Sequence, residues 1–121
     1  MIAGVVAISL AALGLWTAYR ARIRRRSVRT EALRPWPAVV VFTSTDCEAC
    51  APVRNSVFGR APAGVVREIA YQGGADEFRS ARIDQVPVVV VIDERGVAVG
   101  VYEGRVNARQ FGWALRRAGI H

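Results

Sequence analysis

The stretch Ala38-Val39-Val40-Val41-Phe42-Thr43-Ser44-Thr45-Asp46-Cys47-Glu48-Ala49-Cys50 decides how this chain is read. Its first six residues form a short β-branched and aromatic run, consistent with a strand buried on both faces. The C-x-x-C that follows uses the only two cysteines in the 121 residues. Both cysteines at a strand-to-helix turn make thiol–disulfide exchange the leading chemistry. A helix opening there would turn unpaired N–H groups and the positive end of its dipole toward the Cys47 sulfur, favouring thiolate over thiol. The thiolate is the form that attacks a disulfide, and Cys50, one turn on, would lie close enough to displace a mixed disulfide from within.

Other uses of the pair fit less well. Zinc wants four ligands, and beyond the two cysteines the chain offers only His121 at its end. Covalent haem attachment needs His after the second cysteine, where this chain has Ala51. No metal and no cofactor are expected. Asp46 and Glu48 flank Cys47 and are candidates for tuning its pKa, because nearby negative charge disfavours the thiolate; the plainer reading is two solvated loop charges.

Upstream, Ile2 to Tyr19 is an uncharged run of 18 residues. As a helix it would span about 27 Å at 1.5 Å per residue, enough to cross most of a bilayer core of roughly 30 Å. Trp16 and Tyr19 fall at one end, where amphipathic rings prefer the headgroup level. Residues 1–19 are therefore expected to be one transmembrane helix and 20–37 an Arg-rich juxtamembrane linker ending in Pro35-Trp36-Pro37, with Trp36 capping the domain core rather than resting at the membrane surface. The folded unit is expected from residue 38 to 121.

The formal charge of +7 suggests nucleic acid until it is divided along the chain. Up to Arg34, seven arginines face one acid; from Pro35 onward, ten arginines face nine acids. The domain is nearly neutral, so a nucleic-acid partner is not expected. Arginines after an apolar span instead favour a single-pass protein in the cell membrane, N-terminus out and domain on the cytoplasmic side. Arg20, Arg22, Arg24, Arg25 and Arg26 are expected to meet anionic lipid there.

Downstream, a helix through Arg54, Val57 and Phe58 is expected to end at Gly59, with Glu48 near its cap so that the missing N–H of Pro52 is tolerated. Val65 to Tyr71 reads as a second strand, Gly73-Gly74 as a turn, and Ala75 to Ile83 as a short helix. Val88 to Ile92 and Val97 to Tyr102 read as a hairpin about Asp93-Glu94-Arg95-Gly96. Asn107 is expected to cap a last helix that buries Ala108, Phe111, Leu115 and Ala118. The class is α/β, in the order β-α-β-α-β-β-α.

This arrangement resembles the thioredoxin superfamily over residues 38 to 121. The resemblance is carried by Val39 to Thr43 before Cys47-Glu48-Ala49-Cys50, by Val86-Pro87-Val88-Val89 opening the third strand, and by Gly96 and Gly104. It implies a minimal thioredoxin-like fold without the family's first strand and helix, with Cys47 attacking, Cys50 resolving, and Pro87 a cis proline facing them. It also implies that the backbone of Val86 would pair with an extended substrate segment. With its anchor and Arg-rich joint, the whole chain is similar to membrane-tethered thioredoxin-like proteins of actinobacteria. It departs from the family where Asp46 replaces Trp, where Glu48-Ala49 replace Gly-Pro, and where Val41 stands in place of a buried acid.

The expected function is that of a protein disulfide reductase acting on protein or small disulfide substrates and recycled by a separate dithiol reductase. The alternative is a redox-inactive thioredoxin-fold adaptor that docks a partner at the membrane.

Overall fold

The computed structural model describes residues 12–16, 19–20 and 27–121. Most of the expected span, and Arg22, Arg24, Arg25 and Arg26 of the basic cluster, lie outside the described residues. Among the described residues no helix is long and apolar enough to cross a membrane.

The fold is α/β, built on a four-stranded mixed sheet in the order β2-β1-β3-β4. The strands are β1 (Ala38–Thr43), β2 (Val66–Ala70), β3 (Val88–Ile92) and β4 (Ala98–Glu103). β1 runs parallel to β2 and antiparallel to β3, and β3 pairs antiparallel with β4. All six residues of β1 and all five of β3 are buried, because these two strands are central and covered on both faces. That is why their sequences are continuous β-branched runs rather than alternating ones.

Three helices follow the strands: α1 (Cys50–Arg60), α2 (Tyr71–Ala81) and α3 (Ala108–Arg117). On one face of the sheet, Val53, Val57 and Ala61 from the α1 region and Phe111, Ala114, Leu115 and Ala118 from the α3 region pack over Val39, Val41, Val89 and Val91. On the other face, Phe78 and Ala81 of α2 pack over Val40, Phe42, Val88, Val90 and Ile92. Ala108 is exposed, and Ala114 takes the buried place expected of it.

The second face is completed from an unexpected direction. Residues 28–37, expected as linker, form an arm with a 3-10 turn at Glu31–Leu33. Leu33 is fully buried, and Val28 and Trp36 pack against the same cluster. The arm is fastened by polar groups: the Arg29 N–H donates to Ala81 O, Thr30 Oγ1 to Gly96 O, and Trp36 Nε1 to Thr30 O. The Arg67 guanidinium on β2 donates to the carbonyls of Leu33, Arg34 and Pro35. Gly96 turns the hairpin with φ +84° beneath the Trp36 ring, where any Cβ would fall within the indole. The cooperative packing therefore begins about ten residues before Ala38.

Smaller boundaries also shift. A 3-10 turn takes Ala63–Val65, so β2 starts at Val66. In α2, Gln72 to Gly74 are non-helical, with Gly73 at φ +98°, and the regular helix runs from Ala75 to Ala81. Val91 and Ile92 meet Gly100 and Ala98 across a bulge in the β3–β4 hairpin.

Candidate functional site

The C-terminal end of β1 delivers the chain into two successive turns. The Cys47 N–H donates to Ser44 O at 3.3 Å, and the Cys50 N–H to Cys47 O at 3.3 Å. Ala49 is the N-cap, and Cys50 is the first residue of α1. The cap thus falls one residue after Glu48, close to where the sequence places it, and Cys47 occupies the turn before the helix. Pro52 supplies the reason. It is the third residue of α1, where no N–H partner is required. A helix opening at Cys47 would place it where it lacks a needed donor and its ring meets a carbonyl one turn back.

The two sulfurs form a disulfide, with the Cα atoms 5.4 Å apart. The cysteines are unequal in their surroundings. Cys47 is half-buried in its turn, whereas Cys50 is 1% exposed. Asp46 and Glu48 are both exposed, so their carboxylates face solvent beside the pair.

Three other segments converge on this end of the sheet. Phe42 pairs with Val88, so the preceding Pro87 lies beside the strand end from which the cysteine turn leaves. Pro87 is buried, and the Val86–Pro87 bond is cis. Its carbonyl accepts from the Gly104 N–H at 3.0 Å, which ties the β4–α3 loop to the same spot. Gln72 holds the approach to the cysteines: its Oε1 accepts from the Thr45 N–H at 3.1 Å, and its Nε2 donates to Ser44 Oγ at 3.1 Å. No sequence signal marks this clamp, because Gln72 sits in an irregular turn far from the motif.

Beneath the turn lies a polar group that periodicity also hides. Thr43, 1% exposed, donates through Oγ1 to Glu68 Oε2 at 2.8 Å. Arg54 Nε on α1 lies 3.1 Å from Glu68 Oε1; its N–H is not aimed at the oxygen, so the contact is an ion pair rather than a hydrogen bond. Val41 pairs in register with Glu68. A carboxylate therefore stands one strand away from the apolar position on β1.

The cysteine turn is flanked by two clefts. One, of about 510 Å³, lies between α1 and the β4–α3 loop and is lined by Ala49, Pro52, Val53, Ser56 and Gly104 to Asn107. The other, of about 270 Å³, is lined by Ser44, Tyr71, Phe78, Ile83, Asp84, Gln85 and Val86. Phe78 forms its floor, edge-on to both Phe42 and Tyr71. Val86 is half-buried at this second cleft. Among the described residues no group of three or more His, Cys, Asp or Glu side chains is placed to hold a metal ion.

No protein-family model matches the chain, and no curated protein matches it.

Proposed function

We propose that this chain is a membrane-anchored thiol–disulfide oxidoreductase with a minimal thioredoxin-like domain, working as a protein disulfide reductase. The observation that carries the reading is the asymmetry of the pair: Cys47 is partly open, in a turn between Ser44 and Ala49 that each line a cleft, and Cys50 is enclosed at the first turn of α1. The Cys47 thiolate attacks one sulfur of a substrate disulfide, forming a mixed disulfide and releasing the other sulfur as thiolate. Cys50, having lost its proton, then attacks the Cys47 sulfur. The Cys47–Cys50 disulfide forms, the second substrate thiol leaves, and two electrons have passed to the substrate. A separate dithiol must reduce the pair for the next turn.

Val86, half-buried at the second cleft and next to the end of β1, supports docking of an extended substrate segment across the site. A cytoplasmic domain would meet a poise that keeps the pair reduced, which sets the direction as reduction. The anchor and the N-out orientation rest on the uncharged run to Tyr19 and the arginines after it.

One observation favours an adaptor instead. Val41 carries no acid, and the nearby Glu68 is engaged by Thr43 and Arg54, so β1 gives the resolving thiol no dedicated base. The two readings separate in one experiment on the full chain. With dithiol supplied, the parent should reduce a disulfide substrate. Cys47→Ser should abolish turnover, and Cys50→Ser should stop after one covalent adduct. Equal turnover by Cys47→Ser and the parent would end the enzyme reading; no adduct in Cys50→Ser, together with a stable non-covalent partner, would establish the adaptor.

A further inference from the structure

The helix α3 shows two unlike stripes. Phe111, Ala114 and Leu115 of α3, continued by Ala118, face the sheet and are buried. Arg109, Trp113, Arg116 and Arg117 follow the spacing i, i+4, i+7, i+8, which places them together on the outer face, and all four are exposed. Trp113 is 52% exposed, and the Arg117 guanidinium lies 5.0 Å over its ring. No acid occurs in α3, and among the described residues no carboxylate pairs with these three arginines.

The charge is segregated. Of the ten arginines from Pro35 onward, three lie in α3, leaving seven against nine acids over residues 35–107. Stabilisation of the helix itself does not account for the stripe. Arg116 and Arg117 suit the negative end of the dipole, but Arg109 sits in the first turn, where the dipole disfavours a cation. The Arg117 guanidinium covers the indole of Trp113 only in part, and about half of that side chain stays open to solvent.

We propose that this stripe is a docking face for anionic lipid headgroups, by which the domain lies against a bilayer surface. Charge complementarity selects the ligand class, since basic residues near an anionic leaflet are each attracted to it. Trp113 selects a bilayer over other polyanions, because an indole is at home at the headgroup level, with its ring in apolar surroundings and its N–H in water. The stripe lies on a convex helix surface, which a membrane plane can meet along its whole length. Arg109, Arg116 and Arg117 take no part in the cysteine site, so this face and the redox reading stand or fall separately.

The test uses the full chain with Trp16→Phe, leaving Trp113 as reporter and the packed Trp36 as reference. It is mixed with vesicles of phosphatidylcholine alone, or of phosphatidylcholine and phosphatidylglycerol in equal parts, both containing lipid brominated near the headgroup. Trp113 fluorescence should be quenched in the anionic vesicles and much less in the neutral ones. Most of that quenching should be lost at high salt and in R109Q/R116Q/R117Q, while Trp113→Phe supplies the baseline. The salt titration needs no variant, so a poorly folded triple variant does not blunt the test. Equal quenching in both kinds of vesicle, or quenching indifferent to salt, overturns the proposal. Protection of Trp113 by a duplex oligonucleotide, with no quenching by vesicles, assigns the face to nucleic acid and overturns it equally.

Discussion

The two faces of the sheet are closed by different means. On one, α1 and α3 lay down apolar residues at helical spacing: Val53, Val57 and Ala61, then Phe111, Ala114, Leu115 and Ala118. On the other, α2 supplies Phe78 and Ala81, and the remaining cover comes from an arm with no repeating pattern, through Val28, Leu33 and Trp36. The first face is held by periodic burial. The second depends on a few side chains placed by polar fastenings to the backbone, above all the Arg67 guanidinium on three arm carbonyls. A segment with the composition of a linker can thus be part of a core when the fold supplies partners for its carbonyls and N–H groups.

Truncation breaks this comparison most sharply. A fragment from Pro37 would lose Leu33 and Trp36 and strip Arg67 of its acceptors. Removing a buried Leu costs about 2–5 kcal/mol and a large aromatic about 3–5, and a whole domain has only about 5–15 to lose. Residues 27–121 should therefore unfold in one cooperative transition by near-ultraviolet circular dichroism, whereas 37–121 should show none or a much lower midpoint. Equal midpoints would make the arm a linker after all.

A matched pair of point changes sharpens the comparison. Leu33 is 0% exposed in the arm, and Leu115 is 7% exposed on α3. Leu33→Ala and Leu115→Ala should each cost about 2–5 kcal/mol in urea unfolding, with Leu33 no cheaper than Leu115. A Leu33→Ala change near zero alongside a large Leu115→Ala change would show that only the helical face carries stability.

These two faces also explain what could be read in advance. β1, β3 and the hairpin at Gly96 announce themselves through β-branched runs and a turn residue, and Asn107 announces α3. In the arm only Trp36 does so, through the usual burial of Trp, because Val28 and Leu33 are single apolar residues among arginines and prolines. At the site, the spacing of Cys47 and Cys50 and the step at Pro87 were legible, and the register brings them to one end of the sheet. The start of α1 is legible to within one residue, because Pro52 requires a cap near Glu48 and the cap is Ala49. Gln72, and Glu68 with Thr43 and Arg54, are out of reach because their contacts join separate elements, with Thr43–Glu68 and Thr45–Gln72 lying 25 and 27 residues apart.

The smallest effect tests how far the helical face relies on local signals. Asn107 has extended backbone, with φ −76° and ψ 121°, and its Oδ1 accepts from the N–H groups of Arg109 and Gln110 at 3.0 and 3.1 Å. It thereby satisfies two of the four donors that the first turn of α3 leaves without helical partners. Ala has no such acceptor, and caps of this kind contribute about 1 kcal/mol, within a range of about 0.5–2. Asn107→Ala should therefore lower stability by about that amount, and Asn107→Asp should retain most of it, since a carboxylate accepts the same bonds and suits the positive end of the dipole. The loss should appear in both the 27–121 fragment and the full chain, because the cap is local to α3 and makes no contact with the arm. A cost well above 2 kcal/mol would mean that the cap also holds the Gly104 to Asn107 loop in place, and urea unfolding of Gly104→Ala beside Asn107→Ala would show it as non-additivity between the two.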